Sequence, residues 1–232
     1  MKKILTEAFS VNLIIVIMLL ALGSVSAKTQ YSPVYAQEKP IYKADCQDKK
    51  IALMVNVYQG TEYVIKYAQF LMEKNISATF FIGGIYAEKN PETVKFLFDN
   101  GFEIGNHGYN HKLHTKLSKE ESASEISRTN ALLKQITGEK PTLFAPPSGD
   151  VDSSLVSIAK QQGCLTIMWT ADTIDWRDQD RQKICARVKR NLTPGALILT
   201  HPTKATIESL EEIVTFANQA GYTFCEVGEL VK

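Results

Sequence analysis

An excess of charge of one sign is the first thing this 232-residue chain lacks: 26 Lys and Arg stand against 25 Asp and Glu, a formal net charge of +1. Phosphate backbones are bound through clustered basic side chains, so the balance gives no electrostatic reason to expect a nucleic-acid partner. Cysteine is scarce as well. The four present, Cys46, Cys164, Cys185 and Cys225, lie too far apart for a zinc ribbon. In an exported protein they could form disulfides, in any of the three possible pairings, or stay free as small buried hydrophobes. The apolar run Leu13 to Leu22 falls short of the roughly 20 residues that a comfortable membrane span requires. No Ser or Cys sits in a recognisable elbow motif, which leaves a nucleophile-activating pair without its nucleophile. What is present is bulk for a core. Hydrophobic residues make up 44% of the chain, and its length fits one α/β domain better than two.

The first residues read as an export segment: Lys2 and Lys3, then the apolar run, then Val25-Ser26-Ala27 as a small-residue cleavage site. Residues 1–27 are therefore expected to be cleaved, or kept as a membrane anchor through residues 11–22, and the domain to work outside the cytoplasmic membrane. Losing them removes Lys2, Lys3 and Glu7, which brings the formal charge from +1 to zero. Residues 28–47, with Pro33, Pro40 and no sustained period, read as a tether. Residues 48–232 are expected to form one folded domain, as a monomer.

From Lys50 onward short apolar runs alternate with amphipathic stretches. Strands are expected over Ile51 to Val57, Ala78 to Gly83, Phe102 to Gly105, Thr142 to Ala145, Leu165 to Thr170, Ala196 to Thr200 and Tyr222 to Val227. Helices are expected over Glu62 to Lys74, Pro91 to Asn100, Lys119 to Thr137, Ser153 to Gln162, Gln179 to Leu192 and Thr206 to Ala220, several closed by a following glycine. This alternation predicts an α/β fold, a parallel (β/α) barrel of about seven strands. In such barrels functional groups gather at the C-terminal ends of the strands. Asn56, His107, Pro146-Pro147, Asp172 with Asp175, and His201 all fall at that end of their expected strands.

The densest chemical signal is Gly105-Asn106-His107-Gly108-Tyr109-Asn110-His111. Two imidazoles at this spacing can share one borderline cation such as Zn²⁺, with carboxylate or water completing the shell. Taken alone, the spacing also fits two histidines facing water. The chain's other two histidines, His114 and His201, fall just after this motif and at the end of another apolar run, so all four are candidates for one site.

From roughly Lys50 to Leu230 the ordered motifs resemble the polysaccharide deacetylase family, carbohydrate esterase family 4 or NodB-homology domain, and within it an exported, sporulation-associated branch. Ser77 to Gly84 resembles its second strand, and Glu103 to His107 with His111 its histidine motif. Leu143 to Gly149 resembles the Arg-Pro-Pro motif; Asp172 to Trp176 and Leu197 to His201 resemble the later ones. The resemblance implies a distorted barrel whose divalent metal, expected to be zinc, polarises an N-acetyl carbonyl of a cell-wall glycan such as peptidoglycan or a chitin-like polymer. By the same resemblance His107 and His111 hold the metal. His201 is the general acid on the leaving amine, oriented by Asp175. Pro147, Trp176 and Tyr109 are expected to line the sugar site, with core packing as the alternative for Pro147 and Trp176.

The first motif departs from the pattern. Where family members carry Thr-Phe-Asp-Asp-Gly, with a base and then a metal ligand, this chain has Asn56 and Val57, and Ala145 replaces the Arg that accompanies the base. A carboxamide cannot take a proton from water at neutral pH, although it can orient one, and valine coordinates nothing. The losses are mutually consistent, since removing a buried carboxylate together with its Arg strands no charge. Two expectations follow: a metal-assisted deacetylase with an altered site, in which His114, Asp172 or Asp150 supplies the missing group, or a weak or inactive glycan-binding protein of the same fold.

Overall fold

The computed structural model of the chain describes residues 39–232. The expected export segment, its apolar stretch 11–22 and residues 28–38 of the expected tether lie outside the described residues. Among those described, no helix is long and apolar enough to cross a membrane. The strands are β1 (Lys50–Val57), β2 (Thr79–Ile82), β3 (Glu103–Asn106), β4 (Leu143–Phe144), β5 (Leu165–Thr166), β6 (Ala171–Asp172), β7 (Leu197–Thr200) and β8 (Thr223–Cys225). The helices are α1 (Thr61–Glu73), α2 (Gly84–Lys89), α3 (Pro91–Asp99), α4 (Lys119–Thr137), α5 (Ser153–Gln161), α6 (Asp175–Asp178), α7 (Arg181–Asn191), α8 (Lys204–Gln219) and α9 (Val227–Leu230).

All the strands pair in parallel, in the order β5-β4-β3-β2-β1-β7-β6, with β8 against the first residues of β1. The sheet curls into a distorted (β/α) half-barrel, as the strand-helix alternation predicts. Its central strand explains the layering. Along β1, Ile51, Leu53, Val55 and Val57 pack into the large cluster shared with the helices. Ala52 and Met54 pack into a second cluster with Phe81, Ala145 and Leu197. Side chains alternate with a period of two, so one set faces the helix layer and the other the inside of the curl. Both faces are covered, which is why β1 is a nearly unbroken apolar run.

Two expectations are corrected. The strand expected over Leu165 to Thr170 stops at Thr166 as β5, and a separate strand, β6, begins only at Ala171, past the expected end, and does not pair with β5. Part of the expected tether lies across that break: Ile41 N–H donates to Thr166 O (2.9 Å), Met168 N–H to Ile41 O (2.7 Å), and Ala44 N–H to Gly195 O (2.9 Å). Ala44, with Ile41 and Cys46 against it, also belongs to the inner cluster. Residues 41–44 thus satisfy backbone groups on two strand edges, as buried polar groups must be satisfied. All four cysteines are free thiols, and Cys164, Cys185 and Cys225 are buried.

Candidate active site

The strand ends of β1, β3 and β7 bring together the residues that the sequence spreads over some 145 positions, from Asn56 to His201. His107 follows β3 directly and is 1% exposed. Its Nδ1 lies 2.7 Å from the carbonyl of Ala145. A carbonyl only accepts, so Nδ1 carries the proton and Nε2 is left as a lone pair. Burial, then the neighbouring imidazoles, push His107 down to about 3, against the pull of that hydrogen bond. The ring of His111 lies 5.1 Å from that of His107 at 69°. Burial lowers its basicity as well. These are loop histidines, not a pair on one helical turn.

The loop is fixed from α4. Buried Glu125 accepts from Tyr109 N–H (2.9 Å) and Asn110 N–H (2.6 Å), while the Asn106 carboxamide accepts from Gly108 N–H (2.8 Å) and donates to Asn130. His111 (φ 55°), Ser148 (φ 56°) and Ile174 (φ 50°) all adopt left-handed backbone around this rim. For a β-branched residue such as Ile174 that conformation is strained, at about 1–3 kcal/mol, and such strain concentrates at functional sites.

On the β7 side, Asp175 is fully buried and saturated with donors. It accepts from His201 Nδ1 (2.8 Å), His201 N–H (2.6 Å), Thr206 Oγ1 (2.6 Å) and Trp176 N–H (2.8 Å). Burial alone raises the carboxyl pKa, but the hydrogen bonds from His201 and Thr206 outweigh it, and the net shift is downward. Because the carboxylate fixes the Nδ1 proton, Nε2 is the nitrogen of His201 left to exchange a proton.

The β1 side is different. Asn56 is 3% exposed and its Oδ1 is buried without a hydrogen-bond partner. Leaving such a group unpaired costs about 1–3 kcal/mol, which a ligand donor or a water would relieve. Val57 packs into the helix-facing core and not into the cup. Tyr58, which no motif singles out, takes the inward direction: its ring lies 4.1 Å from His111, and 6.4 Å from both His107 and His201. Burial, then the charge of Asp175, raises its phenol pKa. The one signal for Tyr58 is its place, an aromatic two residues after Asn56 and immediately past the strand end.

The proposed substitute groups are held by other partners, and of them His114 keeps a buried Nε2 without one. His114 is buried with Nδ1 3.1 Å from Ser122 Oγ, Asp150 holds Thr115 through two hydrogen bonds, and Asp172 accepts from Ile174 N–H. Among the described residues no three His, Cys, Asp or Glu side chains converge as a metal site. The residues present therefore do not fit the cation that the resemblance implies.

The expected sugar wall divides. Trp176 is 55% exposed, which overturns core packing for it, whereas Pro147 is buried beside Gly108. Tyr109 is 9% exposed, donates its hydroxyl to Glu88 (2.9 Å) and lies under the Arg128 guanidinium, 3.7 Å from the ring centre. Its side chain thereby joins Glu88 of α2 to Arg128 of α4 beside the histidine loop.

Comparison with known proteins bears on the family and the fold. Residues 43–167 match the family Polysaccharide deacetylase. The chain is 38% identical to the uncharacterized protein YlxY of Bacillus subtilis over 84% of its own length and 61% of that protein. It is 30% identical to a peptidoglycan-N-acetylglucosamine deacetylase of Bacillus cereus, over 82% of its own length and 69% of that relative. Among solved structures, a CE4 family pseudoenzyme from Bacillus anthracis superposes with a TM-score of 0.81 at 35% identity, covering 84% of this chain and 69% of that one.

Proposed function

Because the chain belongs to the polysaccharide deacetylase family, hydrolases of N-acetyl amide bonds in glycans, we propose that it recognises an N-acetylated cell-wall glycan outside the cytoplasmic membrane, peptidoglycan first, and hydrolyses it only slowly. The observation that carries this reading is the asymmetry of the cup: a complete His201–Asp175 pair faces a β1 end with no base and no third ligand. His201 Nε2 would protonate the leaving amine, with Asp175 holding the ring and stabilising its charge. Asn56 can present its free Oδ1 to an N–H or O–H of the sugar, but it cannot take a proton from water. Trp176, exposed beside Asp175, offers a flat apolar face for a sugar ring. Zinc, if carried in the cell, would have only His107 and His111, which implies weak retention.

A missing general base lowers rate by about 10²- to 10⁴-fold. Acetate release from N-acetylated chito-oligosaccharides and peptidoglycan fragments, assayed beside the Bacillus cereus relative, is expected to be lower by that factor. Saturable binding of the same oligosaccharides is expected in the presence of a chelator. Release within tenfold of the relative would overturn the reduced site, and the absence of binding would overturn glycan recognition. A second reading, a binding protein without turnover, draws on the likeness to the pseudoenzyme; it predicts negligible release from wild type and Asn56→Asp alike.

A further inference from the structure

We infer that Tyr58 closes the histidine cup to a cation, so that the cup is lost by occupation as well as by the absence of ligands. The inference rests on the reduced-site reading above and deepens it. Side-chain parity along β1 carries Ala52 and Met54 into the inner cluster and Val57 into the helix layer, and Tyr58, the first residue past the strand, turns its ring to the side of the imidazoles. There it meets three of the chain's four imidazoles, stacking on His111 at 35° and standing edge-on to His201 at 82°. The separation of the His107 and His111 rings, 5.1 Å, is itself compatible with a shared ion held about 2 Å from each nitrogen. What a catalytic cation also requires is an open position for water or substrate. The phenol ring packs 4.1 Å from the His111 ring and 6.4 Å from those of His107 and His201, so it fills the space among the imidazoles that an open coordination position would need, and Tyr58 is itself partly buried. Removing the ring should therefore restore to the cup what a carboxylate alone cannot.

A double-mutant cycle separates the two losses. Zn²⁺ is titrated calorimetrically into wild type, Asn56→Asp, Tyr58→Ala and the double variant. Asn56→Asp is isosteric and lies on the inner face, so it supplies a carboxylate with little change in packing. Each single variant is expected to gain less than about tenfold in affinity. The double variant is expected to gain at least about 100-fold, and to lose it when His107→Ala is added. Tyr58→Phe, which keeps the ring without its hydroxyl, is expected to match wild type.

If Asn56→Asp alone binds as tightly as the double variant, or if the double variant gains nothing, the inference fails. It also fails if Tyr58→Phe abolishes zinc binding by wild type, since the phenol would then be a ligand. Thermal melts of each variant confirm the fold. Should Tyr58→Ala not fold, Tyr58→Leu in the same cycle carries the test, because it removes the flat ring while keeping apolar bulk. Zinc affinity is read without glycan or acetate, so a failure here leaves the proposed glycan recognition standing, and the reverse.

Discussion

The end of β7 and the end of β1 face the same cup and have been built by opposite rules. At β7 a charged group is buried and every lone pair of importance is met: Asp175 receives four hydrogen bonds, two of them from His201. At β1 no charge is buried at all. Val57 belongs to the core, Asn56 keeps an unpaired oxygen, and Tyr58 lays an aromatic ring over His111. The lesson is that a polar site is expensive to hold half-made. A buried carboxylate without partners destabilises the fold, whereas its replacement by neutral and apolar groups removes the problem. One half has stayed complete and the other has been absorbed into packing.

The sharpest way to break this contrast is to damage the complete half. Asp175→Ala leaves the His201 ring, two backbone N–H groups and the Thr206 hydroxyl without their acceptor in a fully buried position. Breaking such a buried pair typically costs about 3–5 kcal/mol. Urea denaturation should show a loss of that size, and a loss under about 1 kcal/mol would mean that the cluster is not structural. The mirror experiment is to put charge back on the incomplete half. Val57→Asp buries a carboxylate in the apolar cluster that β1 shares with the helices, with no cation beside it. A destabilisation of about 3–4 kcal/mol is expected, below that of Asp175→Ala because fewer groups are stranded. If the variant is as stable as wild type, the position is not part of the core, and the ligand could be restored by a single change.

The sequence showed the complete half more plainly than the other. His107 and His201 each follow an apolar run, His111 lies four residues after the first and Asp175 falls just past another expected strand, and strand ends in a barrel converge, so their meeting could be expected before any coordinates. Helix α4 was equally legible, with both boundaries as expected: Ser118 and Glu121 form a capping box at its start, and Gly138 stands at φ 86° after its end. Other features carry no periodic signal. Thr206 and Glu125 act on the site through space, from helices whose own pattern only reports which face is buried. Ile41 and Ala44 close a gap that arises because the run after Leu165 leaves the sheet, which a continuous apolar stretch conceals. Tyr58 was hidden for a different reason. An aromatic just past a strand suggests packing, and only the coordinates, which set the ring 4.1 Å from that of His111, distinguish a ring in the cup from one in the core.

Acid should distinguish the two halves by where each yields. In the unfolded chain an imidazole takes up its proton near 6.5, whereas in the fold burial pushes His107 down to about 3. Between those values the unfolded state binds the extra proton, so stability falls as pH is lowered through that window and is regained as pH rises. Asp175 has its folded pKa below the ordinary carboxylate value of 3.8. Its contribution is present above that value and is lost only at lower pH, as the folded carboxyl finally protonates. The first decline on acidification therefore belongs to the buried imidazoles. At about 1.4 kcal/mol per unit, the His107 share between pH 7 and pH 4 is about 3 kcal/mol. His107→Asn, whose side-chain N–H can still donate to Ala145, should lower stability at pH 7 while flattening the pH 7 to 4 limb by that amount. Melting curves that remain parallel for wild type and variant across this range would mean that His107 is accessible to protons in the fold, and that the cup is far more open than the ring of Tyr58 and the 1% exposure of His107 indicate.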